Sequence, residues 1–310
     1  MFFGQLVIGP PGAGKSTYCA TVSEVLKKLK RNVVLINLDF ANDQPPYEAN
    51  IDATNLITVE DSMQHLSLGP NGSLMYCMHF LQKNIEWLFT EIEKLLDDSY
   101  IIFDLPGQIE LYTHDDSVQI IVEKLVQKFD LRLVCVNLID SHYCSDPAKF
   151  ISACTTCLSS MMRLALPHIN VLSKMDLIET NGKPDIGLNY FLETLNMSYI
   201  CDQLSDDQFF AKYKKLNSAL CSLIEDYSLV NFVPLCVSDK NLMVKLVKQI
   251  DKANGYLFGQ SEGESEETKK LKMFSSVFRE SDFAFESGPA LEEIYMGNQS
   301  DSTAMEQNYS

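Results

Sequence analysis

The sequence predicts an α/β fold in which a mostly parallel β-sheet is covered by helices on both faces and carries a helical insertion. Three observations lead there. Short β-branched runs recur at intervals too long for hairpins. Each run ends in a loop holding Gly, Asp or Pro, and amphipathic stretches lie between the runs, which is the βαβ pattern. Most runs are continuously apolar rather than alternating, as strands buried on both faces should be.

Taken in order, strands are expected at residues 5–8, 33–38, 100–103, 133–138, 169–172 and 231–235, with a helix over 17–29 after the first. Residues 178–230 read as a helical insertion rich in Tyr and Phe (NYFLETLNMSYICDQL, then DQFFAKYKKLNSALCSLIEDY), whose apolar stripes suit core packing first and a lid or partner surface second. From residue 260 the chain changes character. Its last 51 residues hold 11 acidic and 4 basic side chains, the composition of a disordered acidic tail. One domain over 1–259 followed by a tail over 260–310 is therefore expected, with no internal repeat.

Composition narrows the function. Of 310 residues 46% are hydrophobic, yet no apolar run approaches the ~18 residues a membrane span needs. The start, MFFGQLVIGPPG, lacks a basic segment and a long apolar one, so no signal peptide is expected. Nine cysteines without framework spacing read as reduced thiols of a cytosolic or nuclear protein. A net charge of −17 repels phosphate backbones, which argues against direct nucleic-acid binding and for partners with basic patches.

Residues 9–16, GPPGAGKS, match GxxxxGK[ST] after a strand and before a helix, the context a phosphate-binding P-loop requires. Gly12, Ala13 and Gly14 bring backbone amides onto the phosphates, Lys15 supplies a charge at the β/γ oxygens, the Ser16 hydroxyl can ligate Mg²⁺, and Thr17 adds a phosphate contact. Position 10 is Pro rather than Lys, which excludes the two-lysine P-loop of partitioning ATPases. Two aspartates then end strands, Asp39 in VVLINLDF and Asp104 in YIIFDLPGQ, at the edge of a parallel sheet where ligands bind. Asp104 is expected to hold the Mg²⁺ shell, Gly107 to sense the γ-phosphate through its amide, and Gln108 to organise the attacking water. Asp39 is expected to orient water or support the magnesium shell.

Ser173-Lys174-Met175-Asp176 fits the [NTS]KxD guanine-reading pattern at the end of a predicted strand. An Asp176 carboxylate accepts both the N1–H and the 2-amino hydrogens of guanine, which adenine lacks. Leaving a buried carboxylate unpaired would cost adenine on the order of 2 to 4 kcal/mol, about 30- to 1,000-fold, so GTP is expected over ATP. Lys174 is expected to lie along the base and brace the P-loop. A fifth nucleotide segment is expected at residues 235–238, LCVS, although its match to the usual S-A-K loop is poor.

Between the two aspartate loops lies LSLGPNGSLMY, with Gly69-Pro70-Asn71. Alone this is a turn. In order with GPPGAGKS, NLDFAN, DLPGQIEL and SKMD it resembles the GPN-loop GTPases, over about residues 4–258. The resemblance implies a GTPase using GTP/GDP and Mg²⁺, paired as a homodimer or as a heterodimer with related GPN-loop GTPases. Each Gly69-Pro70-Asn71 loop would reach the γ-phosphate of the opposite subunit, so that no arginine finger is needed. Arg31 and Arg132 indeed flank strands rather than sit in motif loops. The resemblance further implies a catalytic-centre role for Glu110 beside Asp39, Gln108 and Asn71. It also implies a part in the assembly of RNA polymerase II and III with their subunits or assembly factors, and a cytoplasmic location with shuttling to the nucleus. Phe40 stands where the family often has Pro, and with the weak fifth segment it marks the departures.

Two other functions compete: a nucleotide-bound scaffold that only completes heterodimers, and a metal-inserting GTPase. The intact Lys15, Asp39, Asp104 and Gln108 argue against the first, and the absence of Cys or His between Asn42 and Tyr47 against the second. Cys154 and Cys157 are spaced like half a metal site, but they lie in an apolar helical stripe without a second pair and read as buried thiols.

Overall fold

The computed structural model describes residues 1–42, 44–95, 99–178, 192, 197–205, 212–227 and 230–256. Most of the predicted insertion's first half and the whole acidic tail lie outside the described residues.

Among the described residues seven strands form a single sheet: β1 (Phe2–Ile8), β2 (Asn32–Asn37), β3 (Ile51–Asp52), β4 (Ser99–Asp104), β5 (Leu131–Asp140), β6 (His168–Ser173) and β7 (Phe232–Pro234). Their order is β3-β2-β4-β1-β5-β6-β7, and each pairing among the described residues is parallel. The sheet is thus parallel throughout rather than mostly so. The unpredicted strand, β3, is two residues long and pairs Ile36 with Ile51. β1 lies centrally, with Leu6 beside Phe103 on one side and Cys135 on the other.

The apolar residues of the strands divide between two cores. In β1, Val7 joins the core shared with α1 (Lys15–Lys28), α7 (Pro147–Leu164) and α10 (Lys240–Asn254), whereas Leu6 and Ile8 join the opposite one. That second core is covered by α3 (Pro70–Lys83), α4 (Ile85–Glu93), α5 (Glu110–Thr113) and α6 (Ser117–Phe129). Because the pleat turns successive side chains to opposite faces, a strand needed by both cores must be apolar at every position, which is why no alternation appears in the sequence. A shorter helix, α2 (Val59–Leu66), precedes α3.

Two described helices of the insertion, α8 (Met197–Ser205) and α9 (Lys214–Tyr227), extend the first core through Met197, Ile200, Cys221 and Ile224. Core packing accounts for those stripes, while Leu216, Leu223 and Tyr227 remain exposed. All nine cysteines are free and buried. Cys154 and Cys157 sit inside α7, with the Cys157 sulfur accepting from Asn137 Nδ2 at 3.3 Å. No described helix is long and apolar enough to cross a membrane.

Candidate functional site

The phosphate cradle forms where β1 hands over to α1. Gly12 and Gly14 take φ of 79° and 89°, in the left-handed region that side chains strain. Gly14 caps α1 without a side-chain hydrogen bond, so the first amides of the helix face outward for an anion. The Ala13 amide donates to the Pro10 carbonyl at 3.2 Å. Lys15 is buried, and its Nζ donates to the Pro10 carbonyl at 3.4 Å. Burial lowers the Lys15 pKa, and the nearby Asp104 and Asp39 carboxylates oppose that shift. Thr17 is exposed in the first turn of α1.

Asp104 ends β4 and is fully buried. Its Oδ2 accepts from the Tyr47 hydroxyl at 2.8 Å, whereas Oδ1 is buried without a hydrogen-bond partner among the described residues. Burial pushes its carboxyl up, with Tyr47, Ser16 and Lys15 pulling the other way. The Ser16 hydroxyl accepts from Asn42 Nδ2 at 3.0 Å. An orphaned buried carboxylate oxygen with a serine hydroxyl close by is a hard-oxygen donor set that fits Mg²⁺. Asp39 does not end its strand as expected: β2 stops at Asn37, and Asp39 lies in the turn beyond, where its Oδ1 accepts from the Ala41 amide at 3.0 Å. Burial raises the Asp39 carboxyl too, against the Ala41 amide and Lys15.

The segment after β4 closes on the cradle from the opposite side. A Cβ built on Gly107 would stand 2.8 Å from Pro11 Cα and 3.0 Å from Lys15 Nζ, so the two loops touch backbone to backbone. Gln108 Nε2 donates to Asn71 Oδ1 at 3.1 Å, and Gln108 Oε1 is buried without a partner among the described residues. Glu110 is exposed at the start of α5, where a carboxylate complements the helix dipole. On the facing element, Gly69 caps α3 and Pro70 takes its first position, needing no amide there. Gly69, Pro70 and Asn71 are all exposed, near the exposed apolar side chains of Leu66, Leu68 and Tyr76.

At the end of β6 the Ser173 hydroxyl bonds two carbonyls, Ala13 at 2.8 Å and Ile139 at 3.1 Å. Ser173 is therefore the brace against the P-loop; Lys174, expected in that role, instead reaches Asp140 Oδ2 at 2.7 Å from a left-handed backbone with φ 58°. Asp176 is exposed rather than buried, so a bound base would itself have to shield the carboxylate, and discrimination falls to the low end of the expected range. The Leu235 carbonyl accepts from the Met175 amide at 3.3 Å, and the Cys236 sulfur lies 3.6 Å from Asp176 Oδ1 and 2.9 Å from the Ser238 hydroxyl. Residues 235–238 thus meet Asp176.

Comparison with known proteins bears on this arrangement. A family described as "Conserved hypothetical ATP binding protein" matches residues 7–256. GPN-loop GTPase 2 of Danio rerio is 48% identical over 95% of this chain and 92% of its own. The chain belongs to the GPN-loop GTPases. Within them, the Arabidopsis thaliana GPN-loop GTPase QQT1 is 46% identical over 96% of this chain and 98% of its own. The yeast Saccharomyces cerevisiae GPN-loop GTPase 2 is 41% identical over 84% and 77%. The crystal structure of a Pyrococcus abyssi GTPase in its apo form has a TM-score of 0.65 at 21% identity, covering 81% of this chain and 97% of that one, and attests the fold.

The site of this GPN-loop GTPase also holds two residues to which the sequence motifs assign no role. Asn42 and Tyr47 touch Ser16 and Asp104 from the loop after Asp39; Asn42 closes the NLDFAN segment without a role assigned to it, and Tyr47 belongs to no motif. Their one signal is position, since the loop leaving β2 emerges at the same sheet edge as the end of the neighbouring β4, where Asp104 lies.

Proposed function

We propose that this GPN-loop GTPase binds Mg²⁺-GTP and hydrolyses it to GDP and phosphate as one half of a dimer. The observation that carries the reading is the buried Lys15 and Asp104 of the cradle faced by Gly107, with the exposed GPN loop beside them, bonded within the chain to Gln108 at 3.1 Å and open to a second subunit. Gly12, Ala13, Gly14, Lys15, Ser16 and Thr17 hold the phosphates through amides, ammonium and hydroxyls. Ser16 and Asp104 would hold Mg²⁺, which neutralises phosphate charge when bound. The Gly107 amide meets the γ-phosphate, Gln108 orients water, and Asp39 and Glu110 supply the carboxylates that polarise it. Asn71, able both to donate and to accept, serves the phosphate of the opposite subunit across a rim of Leu66, Leu68 and Tyr76.

The family description names ATP and the relatives' names GTP. Ser173, Lys174 and Asp176, joined by residues 235–238, favour guanine. Replacing Asp176 by Asn removes the acceptor pair, so GTP affinity should fall about 30-fold while xanthosine triphosphate binding rises. Equilibrium binding of both nucleotides decides this, and an unchanged preference for GTP would put the base elsewhere.

Dimer catalysis has its own test. Turnover per molecule should rise with protein concentration and fall at least tenfold in Asn71→Ala, a loss of about 1.4 kcal/mol of transition-state stabilisation or more. Activity that stays flat with concentration and survives the substitution would refute action in trans. Absent turnover with intact GTP binding would favour the scaffold reading.

Family membership further supports a role, in the cytoplasm with passage to the nucleus, in assembling RNA polymerase II and III with their subunits or assembly factors. Co-purification from cells of the GTP-locked chain tests it: polymerase subunits should be enriched over the Asp176→Asn chain.

A further inference from the structure

Gln108 leads directly into the single helical turn of α5. The Leu111 amide bonds the Gln108 carbonyl at 3.2 Å, and the His114 and Asp115 amides both bond the Glu110 carbonyl at 3.0 Å. A displacement of residues 113–115 is therefore carried to Gln108 with little loss. Leu111 and Tyr112 anchor the inner side of this turn in the core, and the Tyr112 hydroxyl bonds the Pro106 carbonyl.

The far end of the same turn is held from two directions. From α3, whose first turn carries Asn71, His79 Nε2 lies 2.7 Å from Asp115 Oδ2. Because an ionised carboxylate only accepts, Nε2 carries the proton and donates. From α7, Arg163 donates to three carbonyls that a helix end leaves without partners: Nη1 to Thr113 at 3.4 Å, Nη2 to His114 at 3.0 Å and Nε to Asp115 at 3.3 Å. Its Nη2 also pairs with Asp116. The other Asp115 oxygen takes the Ser117 amide at 2.8 Å and the Ser117 hydroxyl, starting α6. Burial pushes the Asp115 carboxyl up, but Ser117 and His79 together hold it below its ordinary value, so it stays ionised for the clamp.

We propose that His79, Asp115 and Arg163 form a clamp that sets the position of Gln108 relative to Asn71 and so act as positioning residues for GTP hydrolysis. α3 and the turn at 108–115 are joined at both ends, by Asn71–Gln108 at the cradle and by His79–Asp115 behind it, and so move as one body. None of the three clamp residues belongs to the phosphate cradle or the base motif. The proposal rests on the reading that Gln108 organises the attacking water.

The test is steady-state GTP hydrolysis by the full chain, with GDP affinity and thermal unfolding measured alongside. His79→Leu and Arg163→Met should each lower kcat about tenfold, well below the ~100-fold that a 1 Å misplacement can cause. KM for GTP and the Kd for GDP should stay within about twofold, since the cradle is untouched. His79→Gln and Arg163→Lys keep a donor and should recover part of the rate, and they stay informative should the larger changes impair folding. Adding His79→Leu to Gln108→Ala should slow the enzyme no further, because the clamp acts through the residue already removed. If Gln108→Ala abolishes turnover while the clamp variants run at the parent rate, the clamp is refuted and the role of Gln108 stands. A Gln108→Ala chain as fast as the parent overturns the role of Gln108 itself. Losses that multiply in the double variant, or that raise KM and lower the melting point together, also refute the clamp.

Discussion

Replacing Gly107 by Ala is expected to lower kcat/KM for GTP by about 100-fold, the scale of a 1 Å displacement of reacting groups, while leaving GDP binding much less affected. The added methyl would lie 2.8 Å from Pro11 Cα, 2.9 Å from Pro11 N and 3.0 Å from Lys15 Nζ. Two of those atoms are backbone of the phosphate loop, and this loop is itself pinned, by Ser173 at the Ala13 carbonyl and by the Pro10–Ala13 turn. The loop can therefore give way little, and the segment carrying Gln108 must retreat. GDP lacks the phosphate that the Gly107 amide would meet, which is why its affinity is expected to hold. Single-turnover hydrolysis together with GDP titration separates the two effects. A variant whose GDP affinity collapses along with its rate would show that the P-loop, not the switch segment, had moved.

The parts of this site that could be read from sequence are those in which chemistry fixes a local pattern. GPPGAGKS is legible because an anion-binding turn needs left-handed glycines and a lysine at set offsets. The buried strands are legible because both faces of a parallel sheet demand apolar residues. What escaped was set by distance in the chain or by shortness. β3 is two residues, below the length at which any period can register. The His79–Asp115 contact spans 36 positions, and the Tyr47–Asp104 contact 57. Lys174 is the residue the sequence places against the P-loop, but only the fold decides which one reaches it: a left-handed Lys174 turns its amine to Asp140, and its shorter neighbour Ser173 closes on Ala13. Asp39 shows the same limit, since the residue was found and its place beyond the strand was not.

Arg31→Ala is expected to cost about 3 to 5 kcal/mol of stability, the range seen when one partner of a buried ion pair is removed. Arg31 bonds Asp251 with both guanidinium arms, at 2.8 Å and 2.5 Å, and the two side chains are only 12% and 4% exposed. Its guanidinium also lies 3.9 Å from the centroid of the Tyr256 ring, with Tyr100 at 5.5 Å, and Tyr100 continues through Gln5 to Tyr18. This cluster ties α10 to the sheet at the end of α1 away from the phosphate loop, about 20 Å along a 14-residue helix, so nucleotide affinity should not change. Thermal unfolding should fall by roughly 10 °C. The pH dependence identifies the cause. Burial already raises the Asp251 carboxyl against the pull of Arg31, and without Arg31 the rise is unopposed. A carboxyl whose folded pKa exceeds its unfolded value makes the folded chain bind more protons, so stability is lost as pH rises through the folded value. The deficit of Arg31→Ala should therefore be smaller near pH 5 than near pH 8. A deficit independent of pH would assign the loss to the Tyr256 stacking instead, and replacing both Arg31 and Asp251 by apolar residues of similar size would then fail to restore the melting point.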